Sequence, residues 1–169
     1  NNHRFEYEYD AWNRQTLERD SLGNTTHFTY DAAGNLTRTQ DALGHENHNE
    51  YDRLNRLEQT TDALNQITQL DYNREGKLVS TTDALGRVTR YRYDSRNRLS
   101  GMTDAMGGVT EYRYDGNDNV IGVVDPGGNR EVMIYDGLNR LTRVIDSTGA
   151  ITRNVYDSAG DLIATKDAN

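Results

Sequence analysis

Apolar and aromatic residues come in short bursts along this chain and never in long runs. Val88-Thr89-Arg90-Tyr91-Arg92-Tyr93 is one burst, rich in β-branched and aromatic residues. After a polar pause, Arg98-Leu99-Ser100-Gly101-Met102-Thr103 is a second, weaker one. Apolar positions do not recur three and four apart, and Gly or Asn interrupts roughly every ten residues, so helix is excluded. Short bursts bounded by Asp, Gly and Asn clusters predict the strands of an antiparallel meander.

The bursts repeat. Tyr9, Tyr30, Tyr51, Tyr72, Tyr93, Tyr114, Tyr135 and Tyr156 fall at a constant step of twenty-one positions. Asp follows at Asp10, Asp31, Asp52, Asp94, Asp115, Asp136 and Asp157, with Asn73 as the single departure. A second lattice has the same step, at Asp20, Asp41, Asp62, Asp83, Asp104, Asp125, Asp146 and Asp167. The sequence therefore reads as one array of eight repeats over residues 1–169, with no linker and no second domain.

Both Asp lattices open the same motif. Asp94-Ser95-Arg96-Asn97 and Asp104-Ala105-Met106-Gly107 are Asp-x-x-Asn and Asp-x-x-Gly. Gly, Asn or Asp at the fourth position tolerates positive φ, and the leading Asp can bond its own backbone two residues on. The spacing predicts a type I turn closed by a left-handed residue, a three-residue hairpin loop. Such a loop pairs Asp94 with Arg98 and Tyr93 with Leu99. The residue after the turn is basic at Arg14, Arg56, Lys77, Arg98 and Arg140, and the next is Leu at 36, 57, 78, 99, 141 and 162 and Val at 120. A Tyr facing a Leu contributes about 0.2–1 kcal/mol as a cross-strand pair. Two residues before each Tyr the same face carries Tyr7, Phe28, Leu70, Tyr91, Tyr112 and Met133, a row broken by Asn49 and Asn154.

Parity adds a constraint. Twenty-one is odd, while side chains alternate faces with period two. Tyr stays on one face only if the two turns differ in length parity or each repeat holds one β-bulge. Sixteen strands would make a sheet about 75 Å across, which is expected to twist and curl.

Composition narrows the classes. Only 34% of the chain is hydrophobic, too little for a thick two-layer core. One Pro and eleven Tyr argue against disorder. With no Cys there is no disulfide, thiolate metal site or Cys nucleophile. No stretch approaches the roughly 20 apolar residues of a membrane helix, and residues 1–20 have no signal-peptide pattern. A net charge of -8 suits neither nucleic acid nor membrane insertion.

Candidate chemistry is sparse. Repeated Asp turns suggest calcium, but the Gly-rich nonapeptide of calcium β-rolls is missing. His45-Glu46-Asn47-His48-Asn49-Glu50 is one residue short of a zinc-protease spacing, and on a strand Glu46, His48 and Glu50 share a face that excludes His45. Abundant acidic residues single out no glycosidase pair, and no Ser-His-Asp set stands out. Trp12 reads as a surface or end-packing residue. Exposed Tyr rows offer a surface for carbohydrate or a partner strand. No catalytic, cofactor-binding or metal residues are assigned, and no cofactor is expected.

With "YDAAGNLTRTQDALG", "YDSRNRLSGMTDAMG" and "YDGLNRLTRVIDSTG" in phase over essentially its whole length, the chain resembles the Rhs or YD-repeat family. The resemblance implies an all-β fold of antiparallel hairpin repeats in a curved or spiral sheet, part of a hollow shell. It implies a structural role with no catalysis. In bacterial Rhs proteins and insecticidal toxin-complex C components such a shell encloses a C-terminal toxin, and animal teneurins carry a similar shell. The implied partners are the toxin polypeptide and the rest of the parent shell, and the implied location is outside or on the surface of a bacterial cell. Asp125-Pro126-Gly127-Gly128 is similar to the family's D-P-x-G cleavage region, yet it falls on the ordinary Asp lattice and no G-L-x-G-G follows. It reads as a repeat turn in a piece of shell wall. An extracellular adhesion or glycan-binding module is the alternative. Cut strand edges would favour self-association.

Overall fold

The computed structural model describes residues 4–167. The described residues pack as two compact units, residues 4–88 and 89–167. The first carries β1 (Glu6–Tyr9), β2 (Gln15–Arg19), β3 (Thr25–Tyr30), β4 (Leu36–Gln40), β5 (Glu46–Tyr51), β6 (Leu57–Thr61), β7 (Ile67–Tyr72) and β8 (Leu78–Thr82). The second carries all but the first residue of β9 (Val88–Tyr93), then β10 (Leu99–Thr103), β11 (Val109–Tyr114), β12 (Val120–Val124), β13 (Arg130–Tyr135), β14 (Leu141–Ile145), β15 (Ile151–Tyr156) and β16 (Leu162–Lys166). In each unit the strands pair antiparallel in chain order. The sixteen strands are the hairpin repeats the sequence predicts.

The turns share one geometry. The Asp94 N–H donates to the Arg98 carbonyl at 2.9 Å, and the Asn97 N–H to the Asp94 carbonyl at 3.0 Å. Asp94 Oδ1 accepts the N–H groups of Arg96 (2.9 Å) and Arg98 (3.0 Å). Asn97 sits at φ 62° and Gly107, in the next turn, at φ 87°, which is why Asn and Gly hold the fourth position. Asn73 does the same work as an Asp: its side-chain oxygen accepts the Lys77 N–H at 2.8 Å. Asp125-Pro126-Gly127-Gly128 is an ordinary turn of this kind, with the Gly128 N–H on the Asp125 carbonyl at 3.0 Å and Gly128 at φ 80°.

The two turns of a repeat do not differ in length, so the odd residue is absorbed by a bulge. Tyr93 pairs with Leu99 and Arg92 with Gly101, and Ser100 is skipped. The same shift follows each lattice Tyr in the hairpins of both units, as in Tyr30 with Leu36 and Tyr114 with Val120. Hairpins closed by the second Asp lattice run in unbroken register, as in Met102 with Thr110. One bulge per repeat returns each Tyr to the same face.

That face is the better covered one. In β9, Thr89, Tyr91 and Tyr93 are half-buried while Arg90 and Arg92 are exposed. Leu17, at 8% exposure, is the one buried apolar side chain among the described residues. Leu17 pairs with Glu8 and His27, on the face opposite the Tyr row, so the sheet is held by its ladder and turns with side-chain contacts on each face, not by a core between layers.

The turn geometry makes Asn97 a sensitive position. Asn97→Ala should lower stability by about 1 kcal/mol because Ala has no partner for the left-handed region, while Asn97→Gly should be neutral or mildly stabilising. Urea unfolding of the two variants reads the difference, and equal midpoints would contradict it.

Candidate functional site

The lattice residues meet at the turns after each Tyr. At Arg98 the guanidinium makes three kinds of contact. Nε and Nη2 reach Asp94 Oδ2 at 2.8 and 2.7 Å. Nη1 donates to the Asp115 carbonyl of the next repeat at 3.0 Å and to Asp118 Oδ1 at 2.6 Å. The guanidinium carbon lies 4.4 Å from the centroid of the Tyr114 ring, a cation–π contact. Arg14, Arg56 and Arg140 repeat the arrangement over Tyr30 (4.6 Å), Tyr72 (4.6 Å) and Tyr156 (4.8 Å). Their Nη1 atoms reach the carbonyls of Asp31 (3.2 Å), Asn73 (3.3 Å) and Asp157 (3.5 Å).

Tyr is therefore a fastener between repeats as well as within one. The Tyr114 hydroxyl donates to the Leu99 carbonyl at 2.8 Å. Tyr30, Tyr51, Tyr72 and Tyr156 donate likewise to the carbonyls of Gln15, Leu36, Leu57 and Leu141 at 2.9–3.0 Å. Tyr93 and Tyr135 lie on the same face and pair with Leu99 and Leu141 in the register. Tyr9 pairs with Gln15 and is exposed. The two breaks in the aromatic row are filled by chemistry of the same sort. Asn49 and Asn154 donate through Nδ2 to the carbonyls of Leu36 and Leu141, both at 3.0 Å, beside the neighbouring Tyr hydroxyl.

The lattice carboxylates divide into those beside an Arg and those beside an Asn. Asp10, Asp52, Asp94 and Asp136 bind Arg14, Arg56, Arg98 and Arg140. Asp31 and Asp115 instead accept from Asn35 and Asn119 Nδ2 at 2.9 Å, and Asp157 accepts backbone N–H groups of Ala159 and Asp161. Cover from the neighbouring repeat matters: Arg98 and Asp94 are 21% and 24% exposed, against 60% and 36% for Arg87 and Asp83 in the other turn row. The Arg98 side chain, then its N–H, hold the Asp94 carboxyl below its ordinary range. Asp52 is lowered by the Arg56 N–H and then by its side chain.

Arg at this position alternates. Repeats with Arg14, Arg56, Arg98 and Arg140 are separated by repeats with Asn35, Lys77, Asn119 and Asp161. Each Arg follows Asn13, Asn55, Asn97 or Asn139, all at positive φ. The Asn oxygens serve as acceptors across repeats: Asn35 Nδ2 donates to Asn55 Oδ1 at 3.0 Å and Asn119 Nδ2 to Asn139 Oδ1 at 2.9 Å. The physical unit of the turn row is thus a pair of repeats. The signal stands in the sequence as Asn-Arg recurring in every second repeat, hidden when all the repeats are read as equivalent.

Both oxygens of Asp94 are engaged, Oδ1 by the N–H groups of Arg96 and Arg98 and Oδ2 by the Arg98 side chain. Among the described residues no group of three or more His, Cys, Asp or Glu is placed to hold a metal. Glu46 is ion-paired with Arg38 and bonded to His48 Nε2 at 3.0 Å, while His45 turns away to Asp41 at 2.8 Å. Glu46 is held below its usual value, first by the Arg38 hydrogen bond. Trp12 is 77% exposed, with Arg14 lying 5.0 Å from its ring centroid.

Two measurements test this network. Tyr114→Phe should lower stability by about 1 kcal/mol through loss of one hydrogen bond and should deprotect amides near Leu99 first. Uniform loss of exchange protection across residues 89–167 would contradict it. Turn carboxylates such as Asp52, Asp83 and Asp94 are lowered in the folded chain, so their contribution is complete above their unfolded value near 3.8 and is lost as pH falls through the lower folded values. Circular dichroism should therefore stay flat from pH 7 to about 5 and collapse below about pH 4. Unfolding that begins above pH 5 would contradict this assignment.

The RHS Repeat family matches residues 9–46, 72–108 and 93–130. No curated protein matches the chain by sequence. Among solved structures, the TcdB2-TccC3-Cdc42 crystal structure superposes with a TM-score of 0.83 at 16% identity, covering 99% of this chain and 10% of that one. TcdB2-TccC3 without its hypervariable C-terminal region gives 0.81 at 16% identity, over 98% and 10%. The Photorhabdus luminescens Tc holotoxin pore gives 0.76 at 15% identity, over 90% and 10%. This chain thus spans about a tenth of the length of the chains it resembles, and at this identity the likeness establishes the fold. With family matches over more than half of its residues and the Tyr-Asp repeat running through both units, the chain belongs to the RHS repeat family.

Proposed function

We propose that this chain is a stretch of wall from a β-shell that encloses a toxic C-terminal polypeptide, in a protein exported by a bacterium. The observation that carries the reading is the superposition of 99% of the chain on a tenth of a chain in the TcdB2-TccC3-Cdc42 structure. One related complex is described as lacking a hypervariable C-terminal region and another as including Cdc42, which fits a shell with exchangeable contents.

The physics of the sheet supports containment. Its strength lies in the ladder and turn rows, so neither face has to be buried to hold it together. At turns such as those of Asp94 and Asp136 the carboxylate is taken up by the backbone and an Arg, which suits a structural part. The role is to separate its contents from the surroundings, with the toxin polypeptide and the rest of the parent shell as partners. The adhesive alternative drew on the Tyr rows, but hydroxyls such as those of Tyr30, Tyr51 and Tyr114 are spent on backbone carbonyls.

Protease protection of the parent protein tests the reading. Its C-terminal polypeptide should survive proteinase K at a dose that digests the same polypeptide expressed alone. Equal digestion rates would overturn enclosure.

A further inference from the structure

The net charge of -8 conceals a local reversal. On the more exposed face of the second unit, Arg143, Arg153 and Lys166 stand directly opposite one another on β14, β15 and β16. All three are exposed. Among the described residues of this unit, ion pairs join Arg92 to Glu111, Arg96 and Arg98 to Asp118, Arg98 to Asp94 and Arg140 to Asp136, and none of the three cations takes part. Like charges directly opposite each other destabilise a sheet. Beside this row, on the same face and across β13, β14 and β15, runs an aliphatic one in which Val132 faces Ile145 and Ile145 faces Ile151.

The first unit contains the same arrangement in a neutralised form. Arg38 stands opposite His48 as Arg143 stands opposite Arg153. There Glu46, two pairs along the ladder and on the same face, forms an ion pair with Arg38 and reaches His48 at 3.0 Å. In the second unit that register position is Ile151. An apolar residue thus stands where the first unit has its internal counter-charge.

We propose that the exposed face of β13–β16 is a docking surface for an acidic polypeptide segment with apolar residues between its carboxylates. Arg143 and Arg153 offer the planar forks that carboxylates meet in pairs. The aliphatic row takes the segment's apolar side chains out of water. Nucleic acid fits less well: the face of these four strands has no aromatic side chain for base stacking, and a phosphate backbone offers nothing to Val132, Ile145 and Ile151. A long polyanion also feels the charge of the whole chain, whereas a short segment feels the field within about 8–10 Å. This surface is a property of the sheet face and does not rest on the shell reading.

The test is fluorescence anisotropy with the full chain and a fluorescein-labelled peptide of about eight residues alternating Glu and Val, long enough to cross four strands. The Glu peptide should bind with an affinity that falls as salt rises, and the same peptide with Gln for Glu should bind at least about tenfold more weakly. Ile151→Glu rebuilds the first unit's arrangement. It should weaken binding at least about tenfold while the thermal midpoint stays level or rises. Arg153→Glu should weaken binding similarly, and Gln69→Ala, on the first unit, should leave it unchanged. Four results would overturn the proposal: no peptide binding at millimolar concentration, equal binding of the Gln peptide, indifference to Ile151→Glu with the fold intact, or tighter binding of an oligonucleotide or a phosphatidylserine vesicle than of the Glu peptide.

Discussion

A carboxylate oxygen that accepts two backbone N–H groups is the interaction on which this structure depends. Asp94 Oδ1 closes its turn on Arg96 and Arg98, and the same device recurs at Asp10, Asp52, Asp104 and Asp136. Closing the turn this way fixes the length of the loop and forces its fourth residue to positive φ. Everything downstream inherits that geometry. The Arg or Asn after the turn is aimed back at the free oxygen, Oδ2, and held there. From that position the Arg guanidinium reaches the next repeat, so a local turn also becomes a joint between hairpins.

The bulge after each Tyr is the second half of the same constraint. Two identical loops and an odd repeat length would send successive Tyr residues to opposite faces. Skipping Ser100, and its counterparts in the other hairpins, keeps them together. Only because they share a face can Tyr114 lie under Arg98 and donate to the Leu99 carbonyl. Turn chemistry and bulge together turn a periodic sequence into a periodic network. Each joint touches only its neighbours, the condition under which stability is a sum of local terms.

What the sequence made legible follows this division. The turns, the strands and the Tyr–Leu register are local, and Asp-x-x-Gly/Asn announces them by residue type. Parity required a compensating device without saying which, since a longer loop and a bulge satisfy the same arithmetic. The Arg–Tyr stack was not legible because Arg98 and Tyr114 are separated by a strand pair and meet only after the bulge is placed. The two-repeat alternation was visible as Asn13-Arg14, Asn55-Arg56, Asn97-Arg98 and Asn139-Arg140 but carried no meaning until the cross-repeat bonds to Asn55 and Asn139 were in view. The opposed cations were invisible for the same reason. Arg143, Arg153 and Lys166 are unevenly spaced and well apart in the sequence, and only the register sets them side by side.

A sheet secured by backbone and turns leaves its side chains unusually free. In a two-layer domain a change on the inner face disturbs packing, so the face is constrained by volume. Here Leu17 is the one buried apolar residue described, and most face positions answer to neither a core nor a turn. The fold is shared at 16% identity because the positions that enforce it are few and periodic. The remaining positions can be given over to whatever the surface meets. Within one chain, equivalent ladder positions hold Glu46 in the first unit and Ile151 in the second, so one face is self-neutralised and the other carries uncompensated charge. Such divergence on an unchanged backbone shows that the turns and ladder fix the fold while the exposed face is free to vary in charge from one unit to the other.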